Sequence, residues 1–346
     1  MTEQPSEGAW INDLESILMI FLSIVIPVYN GEECIERCLN SIWSQPLREE
    51  DYEVICVNDC STDNTLQVIR RLQQGHPNLH VYENAGNLRA GGSRNHGVRE
   101  ARGEYILFID ADDYFHAGAL KQVIDYQKAH RLDILVCDFA RHTLSRPNDD
   151  LVHKFKSQQV MTGREFLVEN SLPYAPWKYV FRKALMVDNR IFFEEKVSCE
   201  DVDWSHKIAL FAQTMQYRPI LLTHYILTDT SQTSEEYKKA NTVFHRLMAG
   251  RRVAGLLPLC RTAQERERIG AVAKNTLKNG IVFLNGLIIS PSRKAEMIRS
   301  CVSREVDWGR EMNWVRDHPF LYGCLSTMIA PFFRVAIKIK RKYIGR

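Results

Sequence analysis

Three carboxylates crowd into four positions at Asp110, Asp112 and Asp113, with only Ala111 among them. The residues before them, Tyr105-Ile-Leu-Phe-Ile109, are apolar, aromatic or β-branched, as in a strand covered on both faces. A packed core does not tolerate such a group of charges. They therefore belong at the strand's carboxyl end, where open α/β sheets bind their ligands. Like charges this close repel, and a hard divalent cation with oxygen ligands would relieve them. A solvated acidic turn is the competing reading, since Asp favours turns.

Other stretches offer related chemistry. Asp59 closes a second apolar strand, within Asn58-Asp-Cys-Ser-Thr-Asp-Asn-Thr65. A carboxylate there could recognise hydroxyls or base amides of a nucleotide; a helix-capping turn, served mainly by Asp63, is the alternative. Residues 83–97 read as a glycine-rich loop whose amides could cradle phosphates. The loop lacks the Gly-Lys-Ser/Thr of a Walker sequence and does not follow the first strand, as a dinucleotide fingerprint should. Arg89 and Arg94 within it could reach a diphosphate or simply face solvent. Glu200-Asp201 opens a helix, where the dipole keeps a carboxylate charged, as a general base must be. Ordinary acidic residues at a helix start would look the same.

Regular elements must position these groups. Residues 22–28, 52–57, 79–82, 105–109 and 134–137 read as strands. Residues 32–43, with Ile35, Leu39 and Ile42 on one face, read as a helix, as do 63–74 and 117–130. This alternation, with connections too long for hairpins, predicts a mostly parallel α/β sheet flanked by helices. After residue 140 the pattern weakens. Residues 141–156 carry no clear period, 163–169 and 182–188 read as short helices, 191–193 as a short strand and 204–211 as a helix. From 235 onward amphipathic helices run to the end. The expected organisation is an N-terminal extension over 1–20, with Met19 an alternative start. An α/β domain follows over 21–235, divided at 140, and a helical C-terminal region over 236–346.

The 346 residues carry a formal net charge of +3, which gives no reason to expect a nucleic-acid partner. Nine Cys, an odd number without metal-binding spacing, suit reduced thiols in a cytoplasmic protein. The polar start is no secretory leader, and the apolar run over 17–28 is too short to span a bilayer. Residues 321–346 place aromatics beside a Lys/Arg cluster, interrupted by Pro331 and Arg334. That suits either peripheral contact with the inner face of a membrane or a terminal helix with a solvated basic face.

Taken together, residues 21–235 resemble the inverting family 2 glycosyltransferases of GT-A fold. Ser23-Ile-Val-Ile-Pro-Val-Tyr-Asn30 is similar to the family's first strand. Asn58-Asp-Cys-Ser-Thr-Asp63 is similar to D-D-G-S-T-D, with Asn for the first Asp and Cys for Gly. Ser93-Arg-Asn-His-Gly97 resembles A-R-N-x-G, residues 103–113 resemble G-E-Y-I-x-F-L-D-x-D-D, and Glu200-Asp201 stands at the E-D base motif. The resemblance implies that Pro27, Tyr29 and Asp59 hold the nucleotide base and Asp110 the ribose. It implies that Asp112 binds Mn²⁺ or Mg²⁺, that Arg94 contacts the donor, and that Asp201 is the base with Glu200 its fallback. The implied function is transfer of a sugar from a nucleotide-sugar, UDP-linked, to a glycan or lipid-linked acceptor in cell-surface polysaccharide synthesis. The absence of Gln-x-x-Arg-Trp and of following transmembrane helices implies single additions. Residues 224–234 hold no Arg, where the family often has one. A non-catalytic sugar-nucleotide-binding protein and a nucleotidyltransferase of related architecture are the alternatives.

Overall fold

The structure, a computed structural model, describes residues 20–143, 146–152, 155, 157–227, 240–285, 287, 289–302, 310–319 and 321–323. The N-terminal extension, the expected boundary near 235 and nearly all of the basic tail lie outside these residues. The chain forms two compact units, one of residues 1–196 with 208–227 and the other of 197–207 with 228–346.

The first unit is built on a nine-stranded mixed sheet. Its strands are β1 (Leu22–Val28), β2 (Tyr52–Asn58), β3 (Leu79–Glu83), β4 (Tyr105–Phe108), β5 (Tyr114–Phe115), β6 (Ile134–Thr143), β7 (Arg146–Val152), β8 (Tyr179–Arg182) and β9 (Met215–Leu227). They run in the order β3-β2-β1-β4-β8-β6-β9-β5, with β7 paired to β6. β3, β2, β1 and β4 are parallel; β8 is antiparallel to both β4 and β6. The parallel strands β1, β2 and β4 are buried almost throughout, which is why they read as continuous apolar runs.

Helix α1 (Ile35–Trp43) buries Ile35, Cys38, Leu39 and Ile42, the face its spacing predicts. α2 (Thr65–Gln73) starts two residues after Asp63, whose carboxylate accepts from the Thr65 and Glu32 amides. α3 (Arg89–Glu100) takes up most of the stretch expected to be a glycine-rich loop. Its glycines serve close packing: a Cβ on Gly97 would lie 2.3 Å from Val25 Cγ1 of β1. α4 (Ala119–His130), α5 (Gly163–Glu169) and α6 (Lys183–Asp188) complete the covering. α5 opens with a capping box, Thr162 and Glu165 each bonding the other's amide.

The expected strand at 191–193 is absent. The Asn95 side chain takes its ladder bonds instead, accepting from the Phe193 amide at 2.9 Å and donating to its carbonyl at 2.9 Å. At the sheet's amino edge, buried Glu53 accepts from Ser23 Oγ at 2.7 Å and from Arg102 Nε at 2.9 Å. Ser23 Oγ in turn accepts from the Gly103 amide at 2.8 Å. These bonds tie β1 to β2 and to the turn before β4, fixing the register of all three.

α7 (Asp201–Phe211) begins in residues assigned to the second unit. That unit otherwise holds α8 (Ala240–Ala254), α9 (Ala263–Asn285), α10 (Pro291–Cys301) and α11 (Arg310–Asp317). Gly250 and Gly280 let α8 and α9 approach closely, since a Cβ on Gly280 would lie 2.7 Å from Leu247 Cδ2. Among the described residues, no helix is long and apolar enough to cross a membrane.

Candidate active site

Strand register assembles the site in the first unit. Val28 pairs with Asn58 across β1 and β2, and Val25 with Phe108 across β1 and β4. Tyr29, Asp59 and the Asp110–Asp113 loop therefore leave three adjacent parallel strands at one carboxyl edge. Pro27 is the next-to-last residue of β1, and Tyr29 just beyond the strand is 41% exposed, free to cover a flat ligand.

Asp59 is buried. Its carboxylate accepts from Asn84 Nδ2 at 2.8 Å and from the Leu88 amide at 2.7 Å. Asn84 also donates to Ser93 Oγ at 2.9 Å, and its side-chain oxygen meets His96 Nδ1 at 2.7 Å. One asparagine thus joins Asp59 to the start of α3. Nothing in the sequence pattern singled it out beyond its place at the head of the glycine-containing stretch.

Cys60 sits in the left-handed region at φ 58°, where a β-carbon is strained by about 1–2 kcal/mol. Its thiol lies 3.1 Å from the Asn84 carbonyl. Cys60→Gly removes the strain, forfeits that weak contact and adds unfolded-state freedom. The variant should be about 0.5–1 kcal/mol more stable in thermal denaturation. A loss of stability would show that the thiol contact outweighs the strain.

The three carboxylates at the end of β4 have separate environments. Asp110 is partly exposed and accepts from Arg94 Nη2 at 2.7 Å. Arg94, expected to contact the donor, is itself buried on α3, with its guanidinium over the rings of Phe108 and Phe193. Asp113 is fully buried and accepts from the Ile226 amide at 2.9 Å, fastening β9 to the loop. Burial, then the charges of Asp112 and Asp110, pushes its carboxyl well up. Asp112 is pushed up to about 6, first by burial and then by Asp110.

Among the described residues, no three His, Cys, Asp or Glu side chains converge into a self-sufficient metal cage. A cation held by one or two carboxylates together with substrate phosphates does not need one. Asp110 and Asp112 offer hard carboxylate oxygens side by side on one half-buried loop. The donor set therefore fits a hard divalent cation brought with a diphosphate.

Glu200 and Asp201 belong to the second unit. Glu200 is buried, Asp201 partly exposed, and the Asp201 carbonyl accepts from Ser205 Oγ at 2.7 Å. Helix α8 braces this segment. Arg252 bonds the Asp203 carboxylate at 2.7 Å and the Cys199 carbonyl at 2.8 Å, and His245 Nδ1 accepts from the Ser198 amide. The segment's shape is thus set by residues about fifty positions downstream.

Lys178 was not anticipated. It is 1% exposed, and its ammonium lies 4.7 Å from the Phe139 ring centre and 5.5 Å from that of Phe155. Burial lowers it to about 8, against the opposing pull of Asp138. The register of β8 on β4 carries Lys178 to the same carboxyl edge as Asp110.

This sheet, with its carboxylate loop, is the GT-A fold of glycosyltransferases. Staphylococcus aureus TarS residues 1–349, solved with UDP-GlcNAc, superpose with a TM-score of 0.65 at 20% identity, covering 90% of this chain and 91% of that one. Residues 23–187 match the model of glycosyl transferase family 2. A poly(ribitol-phosphate) β-glucosyltransferase of Bacillus spizizenii is 43% identical over 114 residues, 33% of this chain and 18% of the relative. The S. aureus poly(ribitol-phosphate) β-N-acetylglucosaminyltransferase TarS is 32% identical over 198 residues, 56% of this chain and 33% of the relative. The chain thus spans a third or less of the length of these two relatives.

Proposed function

We propose that the chain is a metal-dependent inverting glycosyltransferase, moving one sugar at a time from a UDP-sugar to a hydroxyl of a glycan or lipid-linked acceptor. The observation that carries this reading is the common edge at which Tyr29, Asp59 and Asp110–Asp113 leave β1, β2 and β4. In this reading Pro27 and Tyr29 cover the base, Asp59 recognises its polar edge, and Asp110, steadied by Arg94, takes the ribose. Asp112 holds Mn²⁺ or Mg²⁺ together with the diphosphate. The bound cation supplies neutralisation of the charge that develops on the departing diphosphate.

Asp201 accepts the acceptor hydroxyl's proton as that oxygen bonds to the anomeric carbon. The carbon–oxygen bond to the diphosphate breaks, the electron pair leaves with the nucleoside diphosphate, and a single displacement inverts the centre. Glu200 is the second candidate for the base. The named activities of the two relatives support a polymer of the poly(ribitol-phosphate) kind as the acceptor, and the reading sets the reaction on the cytoplasmic side of a membrane.

The test is a donor screen with Mn²⁺ and UDP-, GDP- and dTDP-sugars, reading nucleotide diphosphate release with and without polyol-phosphate and glycan acceptors. Acceptor-stimulated UDP release from a UDP-sugar is the expected result. Binding without release would favour a sugar-nucleotide-binding protein. Release of pyrophosphate from a nucleoside triphosphate and a sugar phosphate would favour a nucleotidyltransferase.

A further inference from the structure

The carboxylate loop is held from the side by a row of polar residues spaced by four. Arg37 and Ser41 on α1, and Gln45 just beyond its end, share one helical face. Each addresses the backbone of residues 112–116. Arg37 Nη2 donates to the Asp112 carbonyl. Ser41 Oγ accepts from the Phe115 amide at 3.0 Å, and Gln45 Nε2 donates to the His116 carbonyl at 3.0 Å. Gln45 also bonds back to the Ser41 carbonyl at 3.0 Å, so the row is internally linked. The Arg37 guanidinium lies 5.8 Å from the centre of the Tyr114 ring, which stacks on His224 with centroids 4.6 Å apart.

This arrangement exceeds what packing needs. The apolar face of α1 already anchors the helix, and Arg37 is exposed, so its contact with the loop adds little to the core. What the bond does is fix the peptide that carries the Asp112 side chain. An exposed positive charge near a cation site also repels the cation, but water and salt screen that term. Orientation of the ligand is not screened, and loss of partners that orient a metal ligand typically weakens metal binding 10–100-fold.

We propose that Arg37 is a positioning residue for the cation-binding loop and sets its affinity for the divalent metal through the Asp112 backbone, with Ser41 acting on the same loop. This rests on the reading of Asp112 as the metal ligand. The test is isothermal titration of full-length protein with Mn²⁺ in the presence of UDP, beside UDP titration in EDTA and thermal denaturation.

Arg37→Met should weaken Mn²⁺ binding about tenfold and leave metal-free UDP binding within about twofold. Ser41→Ala, which strands the Phe115 amide, should weaken Mn²⁺ severalfold in the same pattern. Unchanged or tighter Mn²⁺ binding in Arg37→Met would overturn the proposal and show that charge repulsion dominates. Equal losses in the two titrations would also overturn it, making Arg37 a diphosphate ligand. A wild-type protein that binds UDP but no Mn²⁺ would overturn the cation reading itself, and this inference with it.

Discussion

Replacing Asp201 by Asn is expected to lower acceptor-dependent transfer by about 10²–10⁴-fold, the usual worth of a positioned general base. The substitution keeps size and polarity but removes the proton acceptor. Donor binding should change little, so the loss should fall on kcat, with UDP affinity by titration near that of the wild type. A sugar hydroxyl is a weak nucleophile, and without a base its proton has no destination as the new bond forms. Because Arg252 and His245 also hold the segment through Asp203, Cys199 and Ser198, local structure should survive. If Asp201→Asn transfers sugar normally and Glu200→Gln does not, the base is Glu200. If both transfer normally, the assignment of this segment fails.

The second large effect is at Asp112, where function and stability should move in opposite directions. Asp112→Asn should reduce transfer at least about 100-fold, because metal neutralisation of a leaving group is worth several kcal/mol. EDTA should do the same to the wild type. Yet the carboxyl is pushed up to about 6 by burial and by Asp110, so ionised Asp112 strains the fold at neutral pH. Removing that charge should stabilise the metal-free protein by about 1–3 kcal/mol, the linkage value of a shift of this size. In denaturation curves taken with EDTA, Asp112→Asn should melt several degrees above the wild type. Adding Mn²⁺ and UDP should narrow the gap, since only the wild type gains bound-state stabilisation. A variant no more stable than wild type would mean that loop relaxation already relieves the charge.

The sequence is most legible where one strand does one thing. Residues 22–28, 52–57 and 105–109 are buried on both faces, and their polar successors had nowhere to go but the edge. That made both the mostly parallel sheet and the carboxylate row readable in advance, while the GT-A assignment came from the resemblance of the motifs. Legibility ended where a side chain substitutes for backbone, or a distant helix for a neighbour. Asn95 completes the ladder of Phe193, a bond no strand periodicity can encode, so 191–193 only resembles a strand. The glycines of α3 read as a loop because glycine disfavours helices on average, and the decisive fact, contact with Val25, is long-range. The bracing of Glu200-Asp201 by Arg252 and the polar row of Arg37, Ser41 and Gln45 are of the same kind. Their helical spacing is visible, but their targets are not.

The direction of β8 has a further consequence. Because it runs against β4 and β6, its beginning, rather than its end, reaches the edge where β4 delivers Asp110. Chain that precedes β8, through Trp177 and Lys178, arrives there without passing through β1, β2 or β4. In the proposed reading, the donor end of the reaction is written in the parallel strands and the acceptor end in a separate, later paragraph of the chain. Mutation can rewrite the later text, lengthening or recharging it, while the nucleotide-reading text stays as it is. A fold wired this way can keep one currency of activated sugar and change what it builds.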